Sequence, residues 1–226
     1  MDKAQMDIAI HHLKSKDPIL GKAITKVKDF HFPLQDISLY EGLVKSIIGQ
    51  QLSTKASESI YRRFLNHFHG TTPKPELLIN QNDETLRYLG LSKQKAGYVR
   101  NVAQFFMTND EVRPLAIPKG IGSFKPKAKQ NTIDGYDDDG LVKLFTQIKG
   151  VGEWTVQMNL MFVLGRPDVF SPKDLIIEQM ITKLYSIPDG LSKRERFHRI
   201  DQIAEKWKPY RTVACLCLWR LNDIGL

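Results

Sequence analysis

The chain has 226 residues, 42% hydrophobic and 26% charged, a balance that excludes disorder throughout and supplies a packed interior without a disulfide or metal staple. Lysine and arginine number 33 against 25 aspartate and glutamate, so the formal charge of +8 points to a polyanionic partner or surface without naming it. The length leaves open one large domain or two small ones sharing a core.

Met1 to Lys16 carries Asp2, Asp7 and paired histidines, so it has no signal-peptide core, and no later apolar run approaches the roughly 18 residues that span a bilayer. A soluble protein of the cell interior, with no membrane partner, is expected. Apolar residues recur at spacings of three and four while period-two alternation is scarce, which predicts an all-α chain. The capping box Ser38-Leu39-Tyr40-Glu41 opens a helix whose stripe is Leu43, Val44, Ile47 and Ile48, ending near Gly49. A second helix from about Ser53 to Phe68 turns Ile60, Phe64 and Phe68 inward before Gly70, Pro73 and Pro75 break the chain. Short helices are predicted over 76–80 and 83–88, and a longer one over 92–108 with Val99, Val102, Ala103 and Phe106 inward.

The pattern stops from Asn109 to Tyr136, where three prolines, three glycines and four lysines (Lys119, Lys125, Lys127, Lys129) leave little to bury. Such a stretch is either a working loop or a solvated insertion. Periodicity resumes over 138–148, breaks at Gly150-Val151-Gly152, and continues from Glu153 to about Leu164, where Gly165 and Pro167 end it. Three more helices are predicted over 172–185, 192–207 and 210–222, the second opened by the box Ser192-Lys193-Arg194-Glu195. Cys215 and Cys217 stand two apart in the last of these, a spacing that suits neither a disulfide framework nor a zinc or iron–sulfur site and implies a reducing compartment.

Gly150-Val151-Gly152 stands before a helix N-terminus whose free amides can hold a phosphate, although a plain hairpin turn uses the same residues. In Ser171-Pro172-Lys173-Asp174, Ser at N-cap, Pro at N1 and a carboxylate at N3 make a complete helix start. Asp174 is then either a capping residue or a carboxylate facing a cleft, where it can oppose a developing cation. Trp154, Phe170, Trp207, Tyr210 and Trp219 cluster around these signals and serve equally as core or as stacking faces for an unpaired base. The six histidines show no metal-ligand pattern, and neither a phosphate-binding GxxxxGK loop nor a nucleophile-elbow serine is present.

Together, Ile148-Lys149-Gly150-Val151-Gly152-Glu153-Trp154-Thr155 and, about twenty residues on, Val169-Phe170-Ser171-Pro172-Lys173-Asp174 resemble the signature of the helix-hairpin-helix DNA glycosylase superfamily. Leu43 to Ser53 resembles the segment that family lays against the DNA minor groove, and Leu89 to Ala96 its next helical start. Trp207-Lys208-Pro209-Tyr210-Arg211 with Trp219 resembles the C-terminal helices of the DNA-3-methyladenine glycosylase II branch.

The resemblance implies two helical subdomains with an active-site cleft between them: 38–164, containing the hairpin at about 141–164, and a second built from 1–37 and 165–226. It implies a monomer acting on double-stranded DNA that contains a damaged base, flipping out an alkylated purine such as 3-methyladenine and hydrolysing its N-glycosidic bond in base excision repair. Asp174 matches the catalytic aspartate, while Trp154, Trp219, Phe170 and Tyr40 fall at the base pocket. Gln50, Gln51, Leu52, Ser53, Lys149, Gly150, Val151, Gly152 and Thr155 fall at the DNA contact, with Gln51 or Leu52 filling the gap left by the flipped base.

Trp154 stands where members that also cleave the backbone carry a lysine nucleophile, so monofunctional excision is expected. No cofactor is implied beyond a structural Na+ or K+ at the backbone carbonyls of Ile148 and Gly150. The location expected is cytoplasmic, near the nucleoid, or nuclear. The chain departs from the family in the lysine-bearing insertion at about 111–133, expected to add phosphate contacts, and in Lys173, which replaces a frequent second acid and alters the pocket charge. The competing reading is a helix-hairpin-helix protein that binds DNA lesions without catalysis.

Overall fold

The computed structural model describes residues 2–27, 30–110, 112 and 136–225. The expected insertion at 111–133 therefore lies outside the described residues, apart from Val112, which is buried. Among the described residues the regular structure is helical throughout, and no helix is long and apolar enough to cross a membrane.

The chain divides into two compact units, one of Gln35–Asn159 and one of Met1–Leu34 with Leu160–Leu226. Two helices that the sequence pattern does not delimit precede the Ser38 box: α1 (Lys3–Lys16), opened by a box of Asp2 and Gln5, and α2 (Pro18–Ile24). The central unit then runs α3 (Leu39–Gly49), α4 (Thr54–His67), α5 (Pro75–Ile79), α6 (Asp83–Tyr88), α7 (Lys93–Thr108) and α8 (Asp138–Phe145). The next helix, α9 (Glu153–Phe162), begins in the central unit and ends in the other, which continues with α10 (Leu175–Leu184), α11 (Lys193–Ala204) and α12 (Arg211–Asp223).

The central unit forms around α7, whose row of Ala96, Val99, Val102, Ala103 and Phe106 is wholly buried and packs on α3 and α5. Phe106 meets Tyr40 edge-on at 5.4 Å and stacks on Phe145 of α8 at 5.9 Å. Local chemistry fixes where these helices start. The Ser38 hydroxyl accepts from the Glu41 amide while the Glu41 carboxylate accepts from the Ser38 amide, and Ser53, Asn82, Ser92 and Asp137 each cap the next helix with a side-chain oxygen.

The other unit is organised by α12, buried over Thr212–Leu218 and again at Leu221, with α10, α1 and α2 packed on it. Cys215 and Cys217 are free and buried in this helix, and burial pushes both thiols up, as expected of inert packing groups. The division after residue 159 falls inside α9 rather than at the expected 164 because the last turn of that helix packs elsewhere: Phe162 lies 6.0 Å from Phe32 and 5.8 Å from Trp219.

Asp17 ties this unit together at a polar point in an apolar core. It is 2% exposed, and its Oδ1 accepts from the Ile19 and Leu20 amides at 3.1 Å each, capping α2. Its Oδ2 accepts from the Tyr185 hydroxyl at 2.6 Å and from the Trp207 indole N–H at 3.0 Å. Removing the carboxylate takes the acceptor from a buried indole N–H, a half-buried hydroxyl and a helix end. Asp17→Ala should therefore lose about 3 kcal/mol in urea unfolding; an unchanged midpoint would show that this hub carries little of the unit's stability.

Candidate functional site

In the central unit α8 and α9 form a hairpin whose connection spans 146–152. The turn closes through the Val151 amide, which donates to the Ile148 carbonyl at 2.9 Å, and the first turn of α9 closes from Val156 to the Gly152 carbonyl at 3.1 Å. The two glycines do different work. Gly150 has φ +103°, and a Cβ there would lie 2.2 Å from Tyr98 Cγ, so both backbone and packing demand glycine. Gly152 has open space around it, is exposed, and lets another molecule approach the amides at the head of α9.

Lys149 is exposed beside these amides, whereas Val151 is 5% exposed and offers only backbone. Thr155 corrects its assignment as a DNA contact. It is 3% exposed, on the inward face of α9, with its carbonyl accepting from Asn159 Nδ2 at 2.8 Å, so its side chain has no surface to offer. The carbonyls expected to hold a monovalent cation each carry one hydrogen bond, Ile148 from the Val151 amide and Gly150 from Gln50 Nε2 at 3.1 Å. Among the described residues no group of three or more His, Cys, Asp or Glu could hold a metal ion.

The α3–α4 loop lies beside this hairpin. Gln50 closes α3, Gln51 adopts φ 57°, a left-handed conformation that costs a non-glycine residue energy, and Ser53 caps α4. The turn leaves Gln51 exposed and Leu52 38% exposed, a polar and an apolar side chain at the tip of a short rigid loop. The Gln50 side chain is half-buried, and its Nε2 donates to the Gly150 carbonyl. Trp154, the second residue of α9, has 46% of its surface exposed. Tyr40 is removed from the base-pocket set: it is 1% exposed, its hydroxyl donates to the Pro73 carbonyl at 3.0 Å, and burial raises its phenol well above the usual range.

Asp174 belongs to the other unit. The helix expected from 172 starts instead at Leu175, so Asp174 is not the third helical residue but the N-cap itself. Its Oδ1 accepts from the Ile177 amide at 3.0 Å and from the Trp219 indole N–H at 3.1 Å, and the residue is 9% exposed. Ser171, the expected cap, is wholly buried, and its carbonyl accepts from the Asp174 amide at 3.1 Å. The approach to Asp174 is stitched to the head of α12. The Arg211 guanidinium grips Asp168 with two bonds of 2.9 and 3.0 Å, and Thr212 Oγ1 donates to the Arg166 carbonyl at 2.7 Å while accepting from the Val169 amide at 3.0 Å. Seven residues on, on the same face of α12, Trp219 holds the carboxylate.

Trp219 is half-buried and thus holds Asp174 by its edge while resting its ring on Phe162. Phe170 is half-buried with its ring edge-on to Trp207 at 5.9 Å. Arg211 stood in a recognised block, but nothing local marks its pairing with Asp168, 43 residues away. What this half offers chemically is an oriented carboxylate at a helix N-terminus, where the helix dipole favours negative charge.

The sequence model of the family described as HhH-GPD superfamily base excision DNA repair protein matches residues 44–208. A relative in Schizosaccharomyces pombe, alkylbase DNA glycosidase-like protein mag2, is 28% identical over 216 residues, covering 94% of this chain and 92% of that protein. DNA-3-methyladenine glycosylase 1 of the same organism is 30% identical over 187 residues, covering 82% of this chain and 73% of its own. Among solved structures, the S. pombe 3-methyladenine DNA glycosylase in complex with abasic DNA superposes with a TM-score of 0.75 at 25% identity, covering 96% of this chain and 97% of that one. A Bacillus halodurans DNA-3-methyladenine glycosidase gives 0.72 at 30% identity, covering 96% and 89%.

The unequal surroundings of the two hairpin glycines can be measured. Gly150→Ala should cost about 2 kcal/mol or more in denaturant unfolding, because strain and overlap with the Tyr98 ring add. Gly152→Ala should stay within about 0.5 kcal/mol of the parent. Equal costs at the two positions would contradict the turn geometry.

Proposed function

The chain belongs to the HhH-GPD superfamily of base excision DNA repair proteins, and from that premise we propose that it is a monofunctional DNA glycosylase releasing alkylated purines such as 3-methyladenine from duplex DNA. The observation that carries the proposal is the Asp174 carboxylate, oriented by the Ile177 amide and the Trp219 indole at the position matching the family's catalytic aspartate. The relatives' names support the substrate class.

In the proposed reaction the C1′–N bond of the flipped nucleotide breaks and its electron pair leaves with the base. An alkylated purine that carries a positive charge departs neutral, so no proton donor is required. The sugar becomes oxocarbenium-like, and Asp174 opposes that charge. Water then adds to C1′ and gives its proton to Asp174 or to solvent, leaving an abasic site. Trp154 provides no amine where lyase members have lysine, so no Schiff base forms and the strand stays intact. Its exposed indole suits an electron-poor, cationic ring.

The backbone amides of Gly150 and Gly152, with Lys149 and Ser53, take phosphate contacts that carry no sequence information. Leu52 or Gln51 enters the stack where the base has left. One monomer on duplex DNA suffices, since a single nucleotide is processed.

The test is to incubate the protein with alkylated duplex DNA, identify released bases by mass, and repeat with Asp174→Asn. Asparagine caps helices as well as aspartate does, so the variant should keep its fold and its DNA binding while release falls by about 100-fold or more. Release unaffected by the substitution would remove Asp174 from the chemistry. A wild type that binds lesions tightly yet frees no base from any of them would make the protein a lesion sensor.

A further inference from the structure

Four side chains in the central unit, Gln50, Lys95, Tyr98 and Asn101, are engaged with the backbone of the two segments that carry the proposed DNA contacts. Lys95, Tyr98 and Asn101 recur every three residues along α7, so they share one row of that helix. This row lies next to the buried row of Ala96, Val99, Val102 and Phe106, and core packing on α3 and α5 makes it a fixed platform.

Lys95 Nζ donates to the Ile48 carbonyl at 2.8 Å, in the last turn of α3, a favourable place for a cation at a helix C-terminus. Half-burial pulls the Lys95 ammonium below its ordinary value, as expected of a charge turned inward. Asn101 Nδ2 donates to the Lys149 carbonyl at 3.0 Å. Between them the Tyr98 ring occupies the place a Cβ of residue 150 would take, and its hydroxyl is bonded to Gln94 Nε2 at 2.5 Å. Gln50 Nε2 closes the circuit by donating to the Gly150 carbonyl at 3.1 Å.

We propose that these four residues are a clamp that fixes the 50–53 loop relative to the 149–152 hairpin before DNA arrives, and that Gln50 and Lys95 are positioning residues rather than phosphate or base contacts. The inference rests on the proposed DNA-binding role of the two segments. Its physical content is that lesion DNA meets a preset spacing between the loop tip and the hairpin amides, so the ordering cost is not charged to binding. The bonds of Gln50, Lys95 and Asn101 turn inward: each donor is a side chain of this chain and each acceptor a carbonyl of its backbone.

The experiment uses the full chain with nitroxides on Leu52→Cys and Gly152→Cys; Cys215 and Cys217, buried in α12, stay unlabelled. Without DNA the labelled parent should give one narrow distance distribution, broadened by Lys95→Met, by Asn101→Leu and by Gln50→Leu. Gln50→Leu alters only a loop side chain and carries the test if the α7 variants fold poorly. In unlabelled protein each variant should bind a duplex with a tetrahydrofuran abasic analogue about tenfold more weakly, with the slope of log K against log salt unchanged. Lys95→Arg, which keeps a donor, should recover most of the loss.

A slope lowered by about 0.9 in Lys95→Met would make that lysine a phosphate contact and overturn the assignment. Unchanged distance distributions in folded variants would overturn the clamp itself. A parent that fails to bind the duplex would defeat the DNA-binding reading, while the nitroxide distances, measured without DNA, would still decide whether the clamp exists.

Discussion

A carboxylate that must oppose a short-lived cation has to be held in place before that cation forms, because turning it during the reaction would add to the barrier. At the head of α10 two N–H groups converge on one oxygen of Asp174, one from the helix backbone and one from the Trp219 indole. Neither donor could do this if the segment 165–173 wandered. The Asp168–Arg211 pair and the Thr212 bonds prevent that by fixing the segment to α12, the helix that also carries Trp219. Helix capping and the catalytic placement proposed for Asp174 are therefore compatible, since one hydrogen-bonded geometry serves both.

The hairpin obeys a different constraint, one of space. Gly150 is required by a positive φ and by the Tyr98 ring beneath it, whereas Gly152 leaves room on the outer side. One glycine thus faces the protein and the other faces open space. Gln50 bonded across to Gly150 and Asn101 bonded to Lys149 join the end of α3, α7 and the α8–α9 connection, which are far apart along the chain.

Much of the fold was legible because its signals are local. The boxes at Ser38 and Ser192 both form, and the inward stripes of α3 and α7 are those the periodicity names. At Ser171-Pro172-Lys173-Asp174 the signals were ambiguous, since both ends of that tetrapeptide are good N-caps, and Trp219, 45 residues away, rewards the second. Asp17 with Trp207, 190 residues apart, left no trace in any window of sequence. Tyr40 and Thr155 show the remaining limit: a motif fixes a residue's position along the chain, while the facing of its helix decides whether the side chain sees solvent, and both of these face the core. Backbone carbonyls announce no ligand by themselves, and the insertion at 111–133 lies outside the described residues apart from Val112.

The most direct test of the proposed chemistry compares two duplexes that differ by one charge, one bearing a neutral tetrahydrofuran abasic analogue and the other a protonated pyrrolidine at the same place. Both fill the site of the missing sugar, but the pyrrolidine carries the positive charge of the oxocarbenium-like state. The wild type should prefer the charged duplex by about tenfold or more, and Asp174→Asn should abolish this preference while leaving affinity for the neutral one nearly unchanged. Equal affinity of the wild type for both duplexes, or a preference that survives the substitution, would contradict that chemistry.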